Sequence, residues 1–287
     1  MKIKILSRSW FLILAIVCLS SCDGDDKVDA DVNNNFIAKD FTVGQGRRVV
    51  FSQGNLQYQA STKSWRFAAQ QYSVIGQDNR NISSTNSGWI DLFGWATSGY
   101  NNSNPHQTSI NYSIYGQPIS GLSLVGAYAN YDWGVYNAIE NGGITSGLWR
   151  TLTQEEWNYM FHTRSMADQK YGRANVSQIP GMVLLPDAWV LPAGCSFSPM
   201  ASNFSANSYS QAQWKAMEAN GAVFLPAAGF RLISSPRDIN VSGNYWSVSS
   251  VDKFSATSLY FANDTLNAMR EDNNRYNGYS VRVVKNR

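Results

Sequence analysis

Apolar positions along the chain follow three rhythms. Residues 10–19 form a nearly unbroken apolar run behind a basic start of Lys2, Lys4 and Arg8. Residues 48–51, 56–59 and 65–68 are short β-branched or aromatic runs bounded by polar punctuation, the pattern of strands, with Ser52-Gln53-Gly54-Asn55 joining the first two. Residues 75–131 keep neither period and are rich in Asn, Ser, Gly and Tyr, so long loops are expected there. Thr153-Gln154-Glu155-Glu156 reads as a capping box, in which a hydroxyl and a carboxylate satisfy each other's free backbone N–H groups. The helix it opens is expected to run through Trp157 and Phe161 to Arg164, with Trp157, Met160 and Phe161 on a core-facing stripe. Ser210-Gln211-Ala212-Gln213 repeats the device ahead of Trp214 and Met217, and Asn220-Gly221 stops that helix. Five short strands are expected next, at 222–225, 229–232, 245–249, 258–261 and 279–284. The sum is an α+β domain with irregular loops.

The apolar run at 10–19 is too short to span a bilayer as a mature helix, and no later stretch approaches the ~18 uninterrupted apolar residues a span needs. The run ends at Leu19-Ser20-Ser21-Cys22, which resembles the bacterial lipobox, where small residues precede a Cys that is lipidated and becomes the first residue. The resemblance implies a leader at 1–21 and a membrane anchor on Cys22, with several acyl chains contributing ~0.8 kcal/mol per buried CH₂. Asp23-Gly24-Asp25-Asp26-Lys27 follows. Such an acidic run resembles the surface-export signal of Bacteroidetes lipoproteins, and reads equally as a solvated spacer. Display on the outer membrane at the cell surface is the expected location. Residues 22–39 are polar and aperiodic and read as a tether with a reach of roughly 20–25 Å, so the domain is expected over 40–287.

Composition narrows the function classes. Of 287 residues, 44% are hydrophobic, 13% aromatic and 15% charged, which excludes a mostly disordered chain. Such a length can bury a core for one large domain or two small ones. Three of the 23 basic residues lie in the leader, so the rest of the chain balances its 20 acidic residues. That neutrality argues against nucleic acid as a partner and against a polybasic membrane surface site.

There are 3 Cys and 2 His. Cys18 leaves with the leader and Cys22 carries lipid, so Cys195 has no partner for a disulfide, and it reads as a small buried hydrophobe or, under an enzymatic reading, a reactive thiol. His106 and His162 are far apart in sequence and cannot supply a zinc site of several His or Cys ligands, so no metal and no cofactor is expected. His162 falls on the first helix and reads as structural. Nucleotide-binding glycine loops and G-x-S-x-G are absent from the sequence. The aromatic residues Trp89, Phe93, Trp95, Tyr100, Tyr131 and Trp133 are expected as local core beneath the loops, with a sugar-stacking platform as the functional alternative.

Four stretches carry a family resemblance. Trp149-Arg150-Thr151-Leu152-Thr153-Gln154-Glu155-Glu156-Trp157-Asn158-Tyr159 resembles the R-L-P-T-E-A-E-W-E-Y motif of the formylglycine-generating-enzyme (sulfatase-modifying) superfamily. Leu225-Pro226-Ala227-Ala228-Gly229-Phe230-Arg231 resembles its L-P-A-A-G-[FY]-R, Gly243-Asn244-Tyr245-Trp246-Ser247 its G-G-S-[WY], and Gly278-Tyr279-Ser280-Val281-Arg282-Val283-Val284 its terminal G-F-R-[LV]-V. The order is the family's, and about half of the chain is covered. The resemblance implies a C-type-lectin-like fold: a small twisted antiparallel sheet, two helices and long irregular loops. It also marks a departure, because the family's enzymes carry catalytic cysteines just beyond the third motif, where this chain has Val248-Ser249-Ser250-Val251-Asp252. The thiolate chemistry of those enzymes is therefore not expected, and neither is catalysis. Calcium-dependent sugar binding of the lectin type is not expected either: Asn263-Asp264 matches half of its signature, and Gln117-Pro118-Ile119 fails as the other half.

Residues 244–277 also resemble the variable region of proteins diversified by retroelements, which use a C-type-lectin-like fold. The displayed, ligand-binding set would be Tyr245, Ser249, Asp252, Lys253, Asn263, Asp264, Asn267, Arg270, Glu271, Asn273, Asn274 and Tyr276, on a C-terminal loop face, with Trp246, Leu259, Phe261 and Val281 as scaffold. The plainer reading is that these are polar loops on a β-rich surface protein. The functional expectation is a non-catalytic surface lipoprotein that binds a protein or glycan ligand. Its alternatives are a residual enzyme built on Cys195 or a carboxylate site, and a structural envelope or fimbrial subunit.

Overall fold

A computed structural model of the protein describes residues 36–111 and 122–287. The leader, the lipidation site at Cys22, the acidic run behind it and Gln117-Pro118-Ile119 lie outside the described residues. In chain order the strands are β1 Phe41–Gly44, β2 Arg47–Phe51, β3 Leu56–Gln59, β4 Ser64–Phe67, β5 Trp89–Ile90, β6 Arg150–Thr151, β7 Tyr171–Val176 and β8 Ile179–Leu184. They continue with β9 Ser208–Tyr209, β10 Val223–Pro226, β11 Phe230–Leu232, β12 Ser235–Arg237, β13 Ser242–Ser250, β14 Ser255–Ala262, β15 Thr265–Asn274 and β16 Val283–Asn286. The helices are α1 Trp133–Tyr136, α2 Gln154–His162 and α3 Gln211–Ala219. The class is α+β: several small, mostly antiparallel sheets with few helices, in the orders β1-β2-β16-β6, β10-β8-β7-β9, β13-β14-β15, β4-β3-β5 and β11-β12. Within them β7 and β9 run parallel.

Both long helices begin where their capping boxes are. The Thr153 hydroxyl accepts from the Glu156 N–H at 3.2 Å, and the Glu156 carboxylate accepts from the Thr153 N–H at 3.0 Å. Glu156 is almost wholly buried and also pairs with Arg150 at 2.6 Å and Arg47 at 3.2 Å. The helix ends at His162, two residues before the expected Arg164. Arg164 turns back instead, its guanidinium donating to the Met160 and Leu185 carbonyls at 2.8 and 3.0 Å, so it serves as a cap. The second box joins Ser210 and Gln213, and α3 then buries Trp214 and Met217.

Three expectations need correction. The chain enters the fold at Phe36 rather than Asp40, because Phe36 bridges Ser52 and the Ile37 N–H donates to Phe51, burying Ile37; residues 36–39 are not tether. Second, the β7–β8 hairpin was not expected. Its turn residues Ser177 and Gln178 both sit at positive φ (50° and 69°), a two-residue hairpin geometry made without the glycine or asparagine that announces it. Third, residues 265–274 form β15, the edge of a meander, where a loop was expected. The strand expected at 279–284 is divided: Tyr279 and Ser280 make single bridges to Phe93 and Tyr245, and a continuous ladder starts only at Val283.

β13 is buried on both faces and separates two cores. Tyr245 enters one with Phe261, Leu259 and Trp157, while its neighbour Trp246 enters the other with Trp133, Trp95 and Tyr279. This is the period of two of a strand, applied where both sides are covered. A third cluster lies under α3 around Trp214 and Phe224.

The four family-like stretches meet in space. Gly229 bridges Gly243, Arg231 bridges Gly278, Tyr245 bridges Ser280, and β6 pairs with β16 at Thr151 and Val283. Gly229 has φ +73°, and a Cβ there would collide with the Arg237 carbonyl. Both motif arginines are fully buried among backbone carbonyls: Arg231 on Leu92 and Gln107 at 3.1 and 3.3 Å, Arg282 on Phe224 and Gln53 at 3.3 and 3.4 Å. Arg282 also donates to the Gln71 side chain at 2.6 Å. Burial lowers its pKa to about 10, which leaves it charged at neutral pH. These motif residues therefore hold strands together.

Candidate functional site

The residues singled out for binding fall on the β13–β15 meander, and the sheet sorts them into four groups. Tyr245, Ser249 and Asn273 are buried, which corrects their assignment to a displayed set. The Tyr245 hydroxyl donates to the Pro226 carbonyl at 2.8 Å and accepts from Asn55 at 3.2 Å. The Ser249 hydroxyl accepts from the Gln154 N–H at 3.0 Å, at the start of α2. Asn273 donates to the Ala256 and Arg270 carbonyls at 3.2 and 2.7 Å and accepts from the Tyr279 hydroxyl at 3.1 Å. It fastens the meander where the β14–β15 register shifts. Each is polar because it must satisfy a buried backbone or hydroxyl group, not because it faces solvent.

The second group sits at the β13–β14 turn. The exposed Asp252 carboxylate accepts from the Phe254 and Ser255 N–H groups, both at 2.7 Å, and the Lys253 ammonium lies 4.7 Å from the Phe254 ring centre. Arg275 lies buried beneath, its guanidinium 4.2 Å from the Trp95 ring and bonded to the Ser250 hydroxyl at 2.6 Å. Half-buried Asn274 pairs with Ser255, and half-buried Tyr276 follows two residues on. The third group is the β14–β15 turn, where Asp264 has φ +58°. Asn263 accepts from the Phe204 N–H at 3.1 Å and the Asp264 N–H donates to Ser202 at 2.8 Å, so this turn is docked on residues 202–204.

The fourth group lies along the middle of β15 and is gathered around a concavity of about 510 Å³. Arg270 lies across the Tyr260 ring at 4.7 Å and donates to Asp272 at 2.6 Å. That hydrogen bond raises the Arg270 pKa and lowers that of Asp272. Asn267 faces Tyr260 across the ladder, and its side chain accepts from the Met269 N–H at 2.9 Å. Glu271 accepts from Gln154 at 3.0 Å. Met269 is exposed. Tyr260, Met269 and Asp272 were absent from the expected set. Alternation along Thr265-Leu266-Asn267-Ala268-Met269, with Leu266 and Ala268 inward, is the signal that would have found Met269.

This arrangement offers an aromatic ring, a guanidinium, two carboxylates, an amide and a thioether on strand backbone. It suits recognition of a polar surface. Cys195 lies elsewhere, at the edge of the third cluster, its thiol 3.7 Å from the Gln213 carbonyl. His162 is exposed at the end of α2, with Nδ1 3.2 Å from the Asn158 carbonyl. Among the described residues no group of three or more His, Cys, Asp or Glu side chains could hold a metal ion, and no helix is long and apolar enough to cross a membrane. No known family model, curated protein or solved structure matches this chain.

Proposed function

We propose that this protein is a non-catalytic, lipid-anchored cell-surface binding protein whose domain has a C-type-lectin-like fold. It takes a protein or glycan ligand on the β13–β15 face. The observation that carries this reading is the Tyr260–Arg270–Asp272 assembly with Asn267, Met269 and Glu271 around it. These side chains project from a sheet whose other residues build the core, so they are free to serve recognition. Tyr, Asn and Arg on rigid backbone give contact area and adaptable hydrogen bonds at low entropic cost. The lipobox-like Leu19-Ser20-Ser21-Cys22 and the acidic run after it support the anchor and the surface location. The mutual pairing of the four family-like stretches supports the fold, and the lack of any Cys after Cys195 supports a binding role.

The resemblance to retroelement-diversified proteins makes this face the variable one. Sequencing the locus and its downstream DNA in several isolates tests that. A nearby near-copy of the segment encoding 244–287, with mismatches confined to adenines, is the expected result, with changes at exposed positions such as Asn267 and none at Asn273. An unvarying segment with no such copy refutes diversification. Cys195→Ser leaves ligand binding intact under this reading, whereas a residual thiol enzyme would lose activity.

A further inference from the structure

A second site lies away from the β13–β15 face and does not depend on it. The β3–β4 hairpin, residues 98–106 and the end of α1 enclose a pocket of about 500 Å³, within the ~300–1,000 Å³ usual for small-ligand sites. Its walls combine Tyr58 and Trp65 with Tyr136, a residue 41% exposed. The Tyr136 ring is not loose. Tyr100 meets it edge-on at 5.3 Å and is itself edge-on to Tyr131 at 5.1 Å. A water-facing aromatic already locked in place loses little entropy when a ligand covers it.

The backbone around the pocket is held in unusual conformations. Asn101 and Asn102 follow one another at φ 49° and 64°, after Gly99 at 96°, and Lys63 on the opposite wall stands at 56°. Such residues persist only when their surroundings over-determine them, and they gather at ligand sites. Here Asn137 donates to the Ser98 carbonyl at 2.9 Å, Ser98 to the Asn130 carbonyl at 2.7 Å, and Asn101 to the Tyr131 hydroxyl at 3.2 Å.

Other polar groups of the lining are unspent. Among the described residues, the side chains of Lys63, Asn102 and Asn104 have no partner. His106 Nδ1 is shut off from solvent and likewise has no hydrogen bond. Burial, and then the nearby Arg231, lower the His106 pKa, so the imidazole is neutral at pH 7 and offers one donor and one acceptor. The lining carries no carboxylate, and Lys63 is its fixed charge.

We propose that this pocket binds one or two sugar residues of a glycan. Tyr136 covers the apolar face of a pyranose ring, Asn102 and Asn104 pair with its hydroxyls, and Lys63 favours a sugar bearing a carboxylate. A ring with one apolar face and a rim of hydroxyls is the chemistry that uses an aromatic wall and unpaired amides together, and the absence of carboxylates in the lining makes the site independent of calcium.

The test is saturation-transfer NMR on the full-length chain in detergent micelles. The probes are matched disaccharides, neutral and uronic-acid-containing, each also as its methyl glycoside. Binding of the uronic-acid members over their neutral counterparts is expected, unchanged by EDTA. Methyl glycosides that bind as well mark a capped or internal glycan, and a need for the free reducing end marks a free sugar. Tyr136→Ala should weaken binding at least about fivefold, Tyr136→Phe should preserve it, and Lys63→Met should remove the preference for the acid. If no disaccharide binds, or if Tyr136→Ala binds as the parent does, the proposal is wrong. Retained binding in Tyr136→Phe guards against reading a misfolded Tyr136→Ala as support.

Discussion

The β13–β15 face and the loop-built pocket use similar residues in opposite ways. On the meander, a strand ladder, though shifted in register at two points, carries the backbone hydrogen bonds, so exposed side chains along β15 are spectators of stability. At the pocket, side chains and positive-φ residues hold the backbone, and the surface exists only because of them. A ladder tolerates exchange of what it displays. A pocket built of side chains keeps one shape and one ligand chemistry. The first arrangement suits variable recognition and the second fixed recognition.

The comparison can be broken from below. Trp157 is fully buried between α2 and the meander, stacked on Phe161 with ring centres 6.4 Å apart. Trp157→Ala should cost ~3–5 kcal/mol in urea unfolding, because a cavity opens under the ladder itself. A near-neutral result would mean that α2 does not support the sheet.

A pH effect should come from the loop-rich half. Asp91 and Asp132 are fully buried, and burial raises each to about 6 against hydrogen bonds that pull the other way, from Asn79 and the Ile75 N–H for Asp91 and from Thr151 and the Gly134 N–H for Asp132. A carboxyl with a raised folded pKa contributes stability that is fully present below its unfolded value of 3.8 and is lost as pH rises through about 6. Unfolding free energy should therefore rise from pH 7 towards pH 5, by on the order of 1–3 kcal/mol per group. Asp91→Asn should flatten its share of that slope. A stability independent of pH between 5 and 7 would refute the burial of both carboxyls.

Within the meander itself, Asn273→Ala should cost about 1–3 kcal/mol, since it strands the Ala256 and Arg270 carbonyls and the Tyr279 hydroxyl. Asn267→Ala and Met269→Ala, on the same strand, should stay within about 0.5 kcal/mol of the parent. Equal effects at all three positions would erase the distinction between displayed and structural residues on β15.

Much was legible because it is written locally. Both capping boxes are side-chain to backbone devices spanning four residues, and both helices start where those residues stand. The apolar runs at β2, β3, β4, β10, β13 and β14 announce themselves by composition. What escaped was of two kinds. β15 and β7 carry Asn, Arg, Asp and Glu at positions whose fate depends on the neighbouring strand, as with Arg173, buried where it donates to the Ala262 carbonyl at 3.0 Å. The pocket escaped because its lining joins two predicted strands to residues 84–137, which lie mostly in the stretch that keeps no period; His106 stood out only as one of two histidines.

The sequence by itself determined the class of fold, the helix starts and the aromatic cores, because periodicity, capping and apolarity act over a few residues. Which polar residues face solvent was decided only by tertiary structure. Asn263, Asn267, Asn273 and Asn274 are one residue type in one short stretch, yet one docks a turn, one is exposed, one is a buried fastener and one is half-buried at a strand end. An amide satisfies buried carbonyls as readily as water, so its chemistry alone does not say which side of a sheet it occupies, and the packing of β13 between two cores does.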